Sequence, residues 1–510
     1  MKNKSINDLS LKEITFFFII FNFIFKILFL NSNAAEYTDG IIQLTLFQNT
    51  NTLWPPLYTI LVKGIDLIFN NEILSGRIVS FLSSIFIFIP LIYLANSLFG
   101  KNAAFLSALL YTISPLPLRW GVRLMTDSLF TLLFFTSLSF LVFSFIEIKN
   151  NLSTNTKKIA LYSSLSIIFS VLTTLTHYRG VILFPLNILL FAIYINSSLK
   201  QKNPINKSVV ITSIISILLW ILIPAWLYSK GFGHIKQIFE RQSTDSITTF
   251  FNYLNIFESF ILLSPYFFTY TVFILFIFGI FRKAANNAEK HFFLLTFLYI
   301  TFSILFMQSM VQSFLARYLL PILPLIIIYA GHGFNELIES KNIVRKSTFP
   351  LIIIGLIYTF IFSLSVQALQ KGAFGDLKES AIYLKDLNDE LPVFSNESYR
   401  DNLNCMKMKY WSKKDIHFIS EINNPIYNGK EAYLVLHSAY GGSSNLGHFV
   451  GEIKKSESSS FQHVIEFRSD LVPLLTDIME EPGTHQNPLA FVFRYNRQSF
   501  KTVIYKITLK

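Results

Sequence analysis

The chain has little cysteine and little charge. Of 510 residues, Cys405 is the one cysteine. An intrachain disulfide and any cysteine-based metal site are thereby excluded. Charged residues make up 15%, against roughly 25% in a soluble domain. No glycine-rich phosphate loop is evident in residues 369–510: Gly441-Gly442-Ser443-Ser444 reads as a flexible loop. His177 has no second histidine at ligand spacing, so packing is the better reading for it than metal ligation. The first apolar run lacks a small-residue cleavage pattern, so a retained helix is expected there and not a removed signal peptide.

Hydrophobic sequence fills the space. The chain is 52% hydrophobic with a mean hydropathy of +0.47. Apolar runs of about the length a bilayer demands recur through the first 368 residues. Helices are the spanning form for runs this long. Spans are expected near 14–30, 76–97, 103–118, 125–146, 159–176, 180–195, 208–229, 261–281, 291–311, 317–334 and 348–368. The fold class is therefore a polytopic all-α membrane protein of about eleven helices.

Residues 369–510 form a separate soluble α/β domain in this reading. Asp376–Glu390 has helical spacing, Pro392–Ser395 and Glu431–His437 look like buried strands, and Ala490–Ile507 resembles a terminal hairpin turning at Asn496. The acids Asp386, Asp389 and Glu390 are expected on a solvated helix face.

The net charge of +12 lies wholly in the membrane part. The tail balances 17 basic against 17 acidic residues. Loop lysines explain the excess by the positive-inside rule, so nucleic acid is not an expected partner. With the N-terminus inside, 16 of the 26 basic residues of the membrane part fall in cytoplasmic segments. An odd span count then places the tail outside, along with Glu36, Asp39 and Asp127. The loop from Asn31 to about Ser75 is the long early outside loop. Gly40–Phe47 and Leu57–Phe69 are expected to lie along the interface, separated by a turn at Trp54-Pro55-Pro56.

Ionisable groups near hydrocarbon are costly and tend to persist where they work. In Glu36-Tyr37-Thr38-Asp39-Gly40, Asp39 reads either as a catalytic base or as a solvated loop acid. Glu36 reads as a supporting or helix-capping residue. Asp127, in Thr126-Asp127-Ser128, is either a helix-start acid favoured by the dipole or a second functional carboxylate. Arg77, Arg179 and Arg317 lie at outer span ends. Their planar forks suit phosphate oxygens, while snorkelling to headgroups is the plainer alternative. Tyr178 and Tyr318 flank two of them and can shape a lipid pocket.

These pieces, in this order, resemble the integral-membrane glycosyltransferases with the C-type (GT-C) fold. The layout looks most like the bacterial relatives of dolichyl-phosphate-mannose protein mannosyltransferases and of the lipid A aminoarabinose transferase. The motifs are Tyr37-Thr38-Asp39-Gly40-Ile41, Trp54-Pro55-Pro56-Leu57-Tyr58, Gly76-Arg77-Ile78-Val79-Ser80, Leu98-Phe99-Gly100, Thr126-Asp127-Ser128-Leu129, Tyr178-Arg179-Gly180 and Arg317-Tyr318-Leu319-Leu320-Pro321. The resemblance implies sugar transfer from a polyprenyl-phosphate carrier to a hydroxyl of a protein, lipid or glycan, outside a bacterial inner membrane. It maps Asp39 onto the loop acid that acts as base, and Arg77, Arg179 and Arg317 onto groups holding the carrier phosphate. Such enzymes often carry two adjacent acids in that loop. Here Gly40 follows Asp39, so Asp127 or Glu36 is left as the second carboxylate. A phosphate leaving group requires no metal, and the sequence leaves a divalent metal open.

Two other classes compete. A transporter or flippase of lipid-linked substrates would place its charges at mid-bilayer depth on broken helices, whereas these lie at span ends. A non-catalytic assembly factor would use the tail to bind a partner.

Overall fold

The computed structural model describes residues 9–45, 54–151, 156–202, 205–229, 254, 256–258, 260–261, 268–282, 288–310, 316–339, 343–369, 371–372, 374–387, 389–397, 404–438, 458–469 and 501–509. The chain divides into two compact units. One holds Met1–Leu30, Leu46–Gln367 and Ile478–Leu489; the other holds Asn31–Thr45, Ala368–Asp477 and Ala490–Lys510. The segment from Asn31 to about Ser75 is thus shared: Asn31–Thr45, its acidic end, belongs with the tail.

The helices, in chain order, are α1 (Leu11–Ile27), α2 (Thr38–Leu44), α3 (Leu57–Phe69), α4 (Glu72–Phe86), α5 (Phe88–Phe99), α6 (Lys101–Ile113), α7 (Pro115–Trp120), α8 (Asp127–Asn151), α9 (Thr156–Thr176), α10 (Leu183–Lys200), α11 (Lys207–Ser229), α12 (Tyr270–Phe281), α13 (Ala288–Met310), α14 (Leu323–Ile338), α15 (Ile343–Leu369), α16 (Gly375–Asp386) and α17 (Met406–Ser412). Among the described residues, seven helical runs are long and apolar enough to cross a membrane: Glu72–Phe99, Asp127–Asn150, Thr156–Thr176, Tyr178–Lys200, Lys207–Ser229, Ala288–Ser309 and Thr348–Ala368. The expected third span, 103–118, is broken. Ser114 takes extended backbone, and Pro115 starts the short α7, where its missing N–H costs nothing. Tyr270–Phe281 and Leu323–Ile338 are shorter apolar helices.

Small and hydroxyl side chains hold the first unit together. Ser137 on α8 lies 2.9 Å from the hydroxyl of Ser170 and donates to the Ser166 carbonyl on α9. Ser144 meets Ser163 at 2.9 Å. Hydrocarbon supplies no hydrophobic drive between helices, so close approach and shared hydroxyls do that work. Gly333 on α14 shows how close the backbones come: an added Cβ would stand 2.3 Å from the Leu275 carbonyl on α12. In contrast, α11 turns Ile211, Ile214, Leu218, Ile221 and Leu222 outward, as a lipid-facing helix does.

The second unit is built on a five-stranded mixed sheet. Its strands are β1 (Val393–Ser395), β2 (Ile416–Phe418), β3 (Glu431–His437), β4 (Ser458–Arg468) and β5 (Lys501–Leu509), in the order β2-β1-β3-β5-β4. β1 runs parallel to β2 and β3, while β5 is antiparallel to β3 and β4. Phe394, Ala432, Leu434, Leu436, Ile507 and Leu509 make its core. The expected strands at 392–395 and 431–437 and the helix from 376 are present. Of the expected terminal hairpin, the strand Lys501–Leu509 is described; residues 490–500 and the Gly441–Ser444 loop lie outside the described residues. The expected helix over Asp376–Glu390 ends at Asp386. Asp389 therefore leaves the helix face and accepts from the Tyr433 hydroxyl at 2.7 Å.

α17 is anchored by a carboxylate. Glu397 accepts from the Lys407 and Met408 N–H groups at 3.1 and 3.0 Å, where the positive end of a helix favours an acid. Cys405 precedes the helix with its backbone left-handed at φ 60°. Its Sγ lies within 3.7 Å of the carbonyls of Ser395, Glu397 and His417. Burial, and then the Glu397 charge, pushes the thiol well above its ordinary range. At neutral pH, Cys405 should resist maleimide in the folded protein and label fully once the tail is unfolded. Prompt labelling of the folded protein contradicts this packing.

Candidate functional site

In the first unit, the site is assembled where three helix junctions meet. The first junction is the turn between α9 and α10. His177 takes extended backbone and its Nδ1 accepts from the Arg179 N–H at 3.3 Å, capping a short 3-10 helix over Tyr178–Ile182. Gly180 lets that turn close: an added Cβ would stand 2.5 Å from the Thr174 amide nitrogen. Arg179 is consequently directed inward and is almost fully buried.

The second junction is the start of α8. Asp127 lies in its first helical turn, which favours an acid. Its Oδ1 is 3.8 Å from Arg179 Nη2. The third is the 3-10 turn Ala316–Leu319, which carries Arg317 and Tyr318. The Arg179 guanidinium carbon lies 3.9 Å from the Tyr318 ring centre and 5.2 Å from that of Phe130. Arg317 lies 5.4 Å from the Tyr318 ring and 5.8 Å from the Trp120 ring. Tyr318 thus sits against both guanidiniums. Weakly hydrated guanidiniums are the cations suited to aromatic faces.

Arg179 Nη1 is buried and has no hydrogen-bond partner among the described residues. A buried donor left unmade costs about 1–3 kcal/mol. This geometry, a planar cation against an aromatic ring with a buried donor left unmade, is suited to an oxyanion. The loop into α8 is held by further polar contacts. Ser128 donates to the Trp120 carbonyl at 2.9 Å, and Ser80 donates to the Met125 carbonyl at 2.9 Å. The Tyr58 hydroxyl donates to the Gly76 carbonyl at 2.9 Å and lies 3.2 Å from Ser80. The motif beginning at Trp54 and the Gly76-Arg77 motif therefore buttress the strand of chain leading to Asp127.

The structure brings Asp127, Arg179, Arg317 and Tyr318 into one cluster. Tyr178 is buried beside it, its ring 4.4 Å from that of His177. Arg77 is placed differently: its Nη1 donates to the Leu30 carbonyl just past the end of α1, at 3.2 Å. Glu36 and Asp39 belong to the second unit. Both are buried, so neither is a solvated loop acid. Asp39 lies in the first turn of α2. Glu36 does not cap that helix: Tyr37 is the capping residue, without a side-chain cap bond. Of the segment Gly40–Phe47, the part within α2 does not lie along an interface, since all seven residues of that helix are buried and it packs against α17; residues 46–47 lie outside the described residues. Leu57–Phe69, by contrast, forms α3 with an exposed apolar face including Leu67 and Ile68.

Sequence reasoning passed over Arg119, Arg123 and Lys26. All three are fully buried, and Lys26 Nζ donates to the Ser84 carbonyl at 3.2 Å. The signal was available: two arginines four apart inside an apolar stretch, and a lysine inside the first apolar run, are charges that hydrocarbon penalises. Elsewhere, a cleft of about 770 Å³ in the second unit is lined by Asp389, Lys414, His417, Tyr427 and Glu431 among others. It contains none of the residues selected above.

Replacing Gly180 by alanine should lower stability by about 1–3 kcal/mol through overpacking against Thr174. A thermal-unfolding midpoint equal to that of the parent protein in detergent contradicts the close approach.

Comparison with known proteins gives two kinds of match. Residues 54–227 match the model of a family described as dolichyl-phosphate-mannose-protein mannosyltransferase. Among solved structures, the chain is similar to ArnT from Cupriavidus metallidurans, bound to undecaprenyl phosphate and in the apo state. Each comparison gives a TM-score of 0.56 at 12% identity, covering 96% of this chain and 97% of the other. The Archaeoglobus fulgidus oligosaccharyltransferase in complex with Zn and sulfate gives a TM-score of 0.49 at 11% identity, covering 88% of this chain and 71% of that one. No curated protein matches the chain in sequence. The chain therefore has the GT-C fold of integral-membrane glycosyltransferases, with a small sheet domain at its C-terminal end.

Proposed function

We propose that the protein is a glycosyltransferase that takes a sugar from a polyprenyl-phosphate carrier and passes it to a hydroxyl acceptor. The coarse reading, a GT-C enzyme using a lipid-phosphate carrier, is supported by the family match and by the likeness to ArnT. The observation that carries it to particular residues is Arg179: buried, stacked on Tyr318, beside Asp127, with Nη1 still lacking a hydrogen-bond partner among the described residues.

In this reading Arg179 and Arg317 receive the carrier phosphate, with Tyr178 and Tyr318 walling the pocket and Arg77 a further phosphate group. Asp127 orients Arg179 and is the second carboxylate of the site, with Glu36 supporting the loop. Asp39 is the base. The acceptor oxygen attacks the anomeric carbon as its proton passes to the Asp39 carboxylate. The bond from that carbon to the phosphate oxygen breaks, and the electron pair leaves on the lipid phosphate. Attack opposite the leaving group inverts the anomeric configuration. The buried guanidiniums stabilise the charge that develops on the phosphate. The chemistry is placed on the outer face of a bacterial inner membrane, with the tail outside and the N-terminus inside. The acceptor is a protein, lipid or glycan hydroxyl.

Two outcomes are expected. Asp39→Asn should abolish transfer in membranes supplied with polyprenyl-phosphate sugar while leaving carrier binding intact; unchanged turnover sinks the assignment of the base. Arg179→Ala should weaken undecaprenyl phosphate binding by roughly tenfold to a hundredfold, the value of a hydrogen bond to a charged group, as read by native mass spectrometry. Equal lipid occupancy of the two proteins contradicts the phosphate role.

A further inference from the structure

The second unit contains a buried polar and aromatic stack that the proposed chemistry does not use. Its centre is Phe374, which caps α16 with left-handed backbone at φ 58°, ψ 14°. That conformation is uncommon for a bulky residue and persists where surroundings over-determine it. Here the surroundings are plain. The Phe374 ring stacks on His437 of β3, centres 5.7 Å apart and planes 28° apart. The Lys407 ammonium of α17 lies 3.6 Å from the Phe374 ring centre. His437 Nε2 lies 3.2 Å from Asp376 Oδ2, and the Thr502 hydroxyl of β5 donates to that same oxygen at 2.9 Å. Asn396 fixes the His437 backbone from both sides, accepting its N–H at 2.8 Å and donating to its carbonyl at 3.0 Å. Asp376, His437, Lys407 and Thr502 are all buried. Burial alone would raise the Asp376 pKa. The His437 contact, the Thr502 hydroxyl and the Leu377 N–H outweigh it and hold the carboxyl below its ordinary value.

The remaining side of this stack faces the acidic loop, within the same unit. Tyr37 sets its ring edge-on to Phe374, centres 5.8 Å apart and planes at 85°. The Ala34 N–H donates to the Lys371 carbonyl at 2.7 Å, and Lys378 Nζ donates to the Ala34 carbonyl at 2.9 Å. Gly375 lies so close that an added Cβ would be 3.3 Å from the Ala34 side chain. Tyr37 caps α2, and Asp39 is the second residue of that helix. Hence the loop is clamped at Ala34 and Tyr37, shortly before Asp39, by Lys371, Phe374, Gly375 and Lys378 of the tail.

We infer that Phe374 is a positioning residue: it transmits the order of the tail sheet, through Tyr37, to the helix turn that carries Asp39. The tail is then part of the catalytic apparatus, whatever it recognises besides. This inference rests on the reading of Asp39 as base. A misplacement of about 1 Å in a reacting group can lower the rate by roughly a hundredfold, so the clamp has a measurable consequence.

The test uses the full-length protein in membranes, with Phe374→Ala, Phe374→Tyr, Tyr37→Ala and Asp39→Asn. For Phe374→Ala and Tyr37→Ala, kcat for transfer is expected to fall about tenfold to a hundredfold, with KM for the polyprenyl-phosphate sugar within about twofold. Phe374→Tyr, which keeps the ring, should restore most of the rate. Hydrogen–deuterium exchange should rise over 31–45 in both alanine variants. In Tyr37→Ala, which leaves the tail's own stack intact, exchange over 431–437 should stay unchanged. That variant keeps the test decisive where Phe374→Ala unfolds the tail. Normal kcat and normal exchange in Tyr37→Ala overturn the clamp while an inactive Asp39→Asn leaves the base assignment standing. An active Asp39→Asn defeats the base assignment itself, and exchange over 31–45 then decides the clamp alone.

Discussion

The candidate site in the membrane unit is arranged around the burial of a cation. An arginine side chain in an apolar bundle is expensive unless paired, stacked and hydrogen-bonded. Arg179 meets that demand in part: Asp127 at 3.8 Å, the Tyr318 face at 3.9 Å and His177 at 3.1–3.3 Å. The tight turn at Gly180, the acid in the first turn of α8 and the serine-linked approach of α8 to α9 are the structural means. In the proposed reading, the part of the demand that those contacts leave at Nη1 is met by a phosphate oxygen. In this account the cost of burying the guanidinium and the affinity for a lipid phosphate are two aspects of the same constraint.

Much of the architecture was legible in the chain, because the bilayer allows few solutions. The runs at Asp127–Asn150, Thr156–Thr176, Tyr178–Lys200, Lys207–Ser229 and Thr348–Ala368 coincide with expected spans to within a few residues. The break at Ser114-Pro115 escaped, since proline at the first position of a helix is silent in hydropathy. The strand Glu431–His437 was readable from its continuous apolar pattern, with β-branched Val435 in a fully paired position. The short strand at Ile416–Phe418 was not: its three residues include His417 and follow Lys413, Lys414 and Asp415, so no apolar run marks it.

The site was half legible, and the physical reason is instructive. Arg179, Arg317, Tyr318 and Asp127 stood out as charges and aromatics at span ends, where little else is polar. Arg119 and Arg123 sit in the same setting, in the short link between the runs read as spans at 103–118 and 125–146, and were passed over beside Asp127. The acidic loop stood out by its charge, but its allegiance was not legible. Nothing in Ala34-Ala35-Glu36-Tyr37 announces that its partners are Lys371, Phe374 and Lys378, more than 330 positions away. Such pairing is tertiary, and local pattern carries no trace of it. The left-handed Phe374 is similarly hidden, because the residue type argues against the conformation it adopts.

The central claim is that the chain cleaves the bond between a sugar and a lipid phosphate. The most direct measurement is to reconstitute the purified full-length protein in vesicles containing a polyprenyl-phosphate sugar labelled in the sugar, add envelope acceptors, and follow both halves of the donor. The account predicts that free polyprenyl phosphate accumulates in step with label covalently attached to acceptor. Label that crosses the bilayer on an intact lipid, with no release of polyprenyl phosphate, would contradict it and identify a transporter instead.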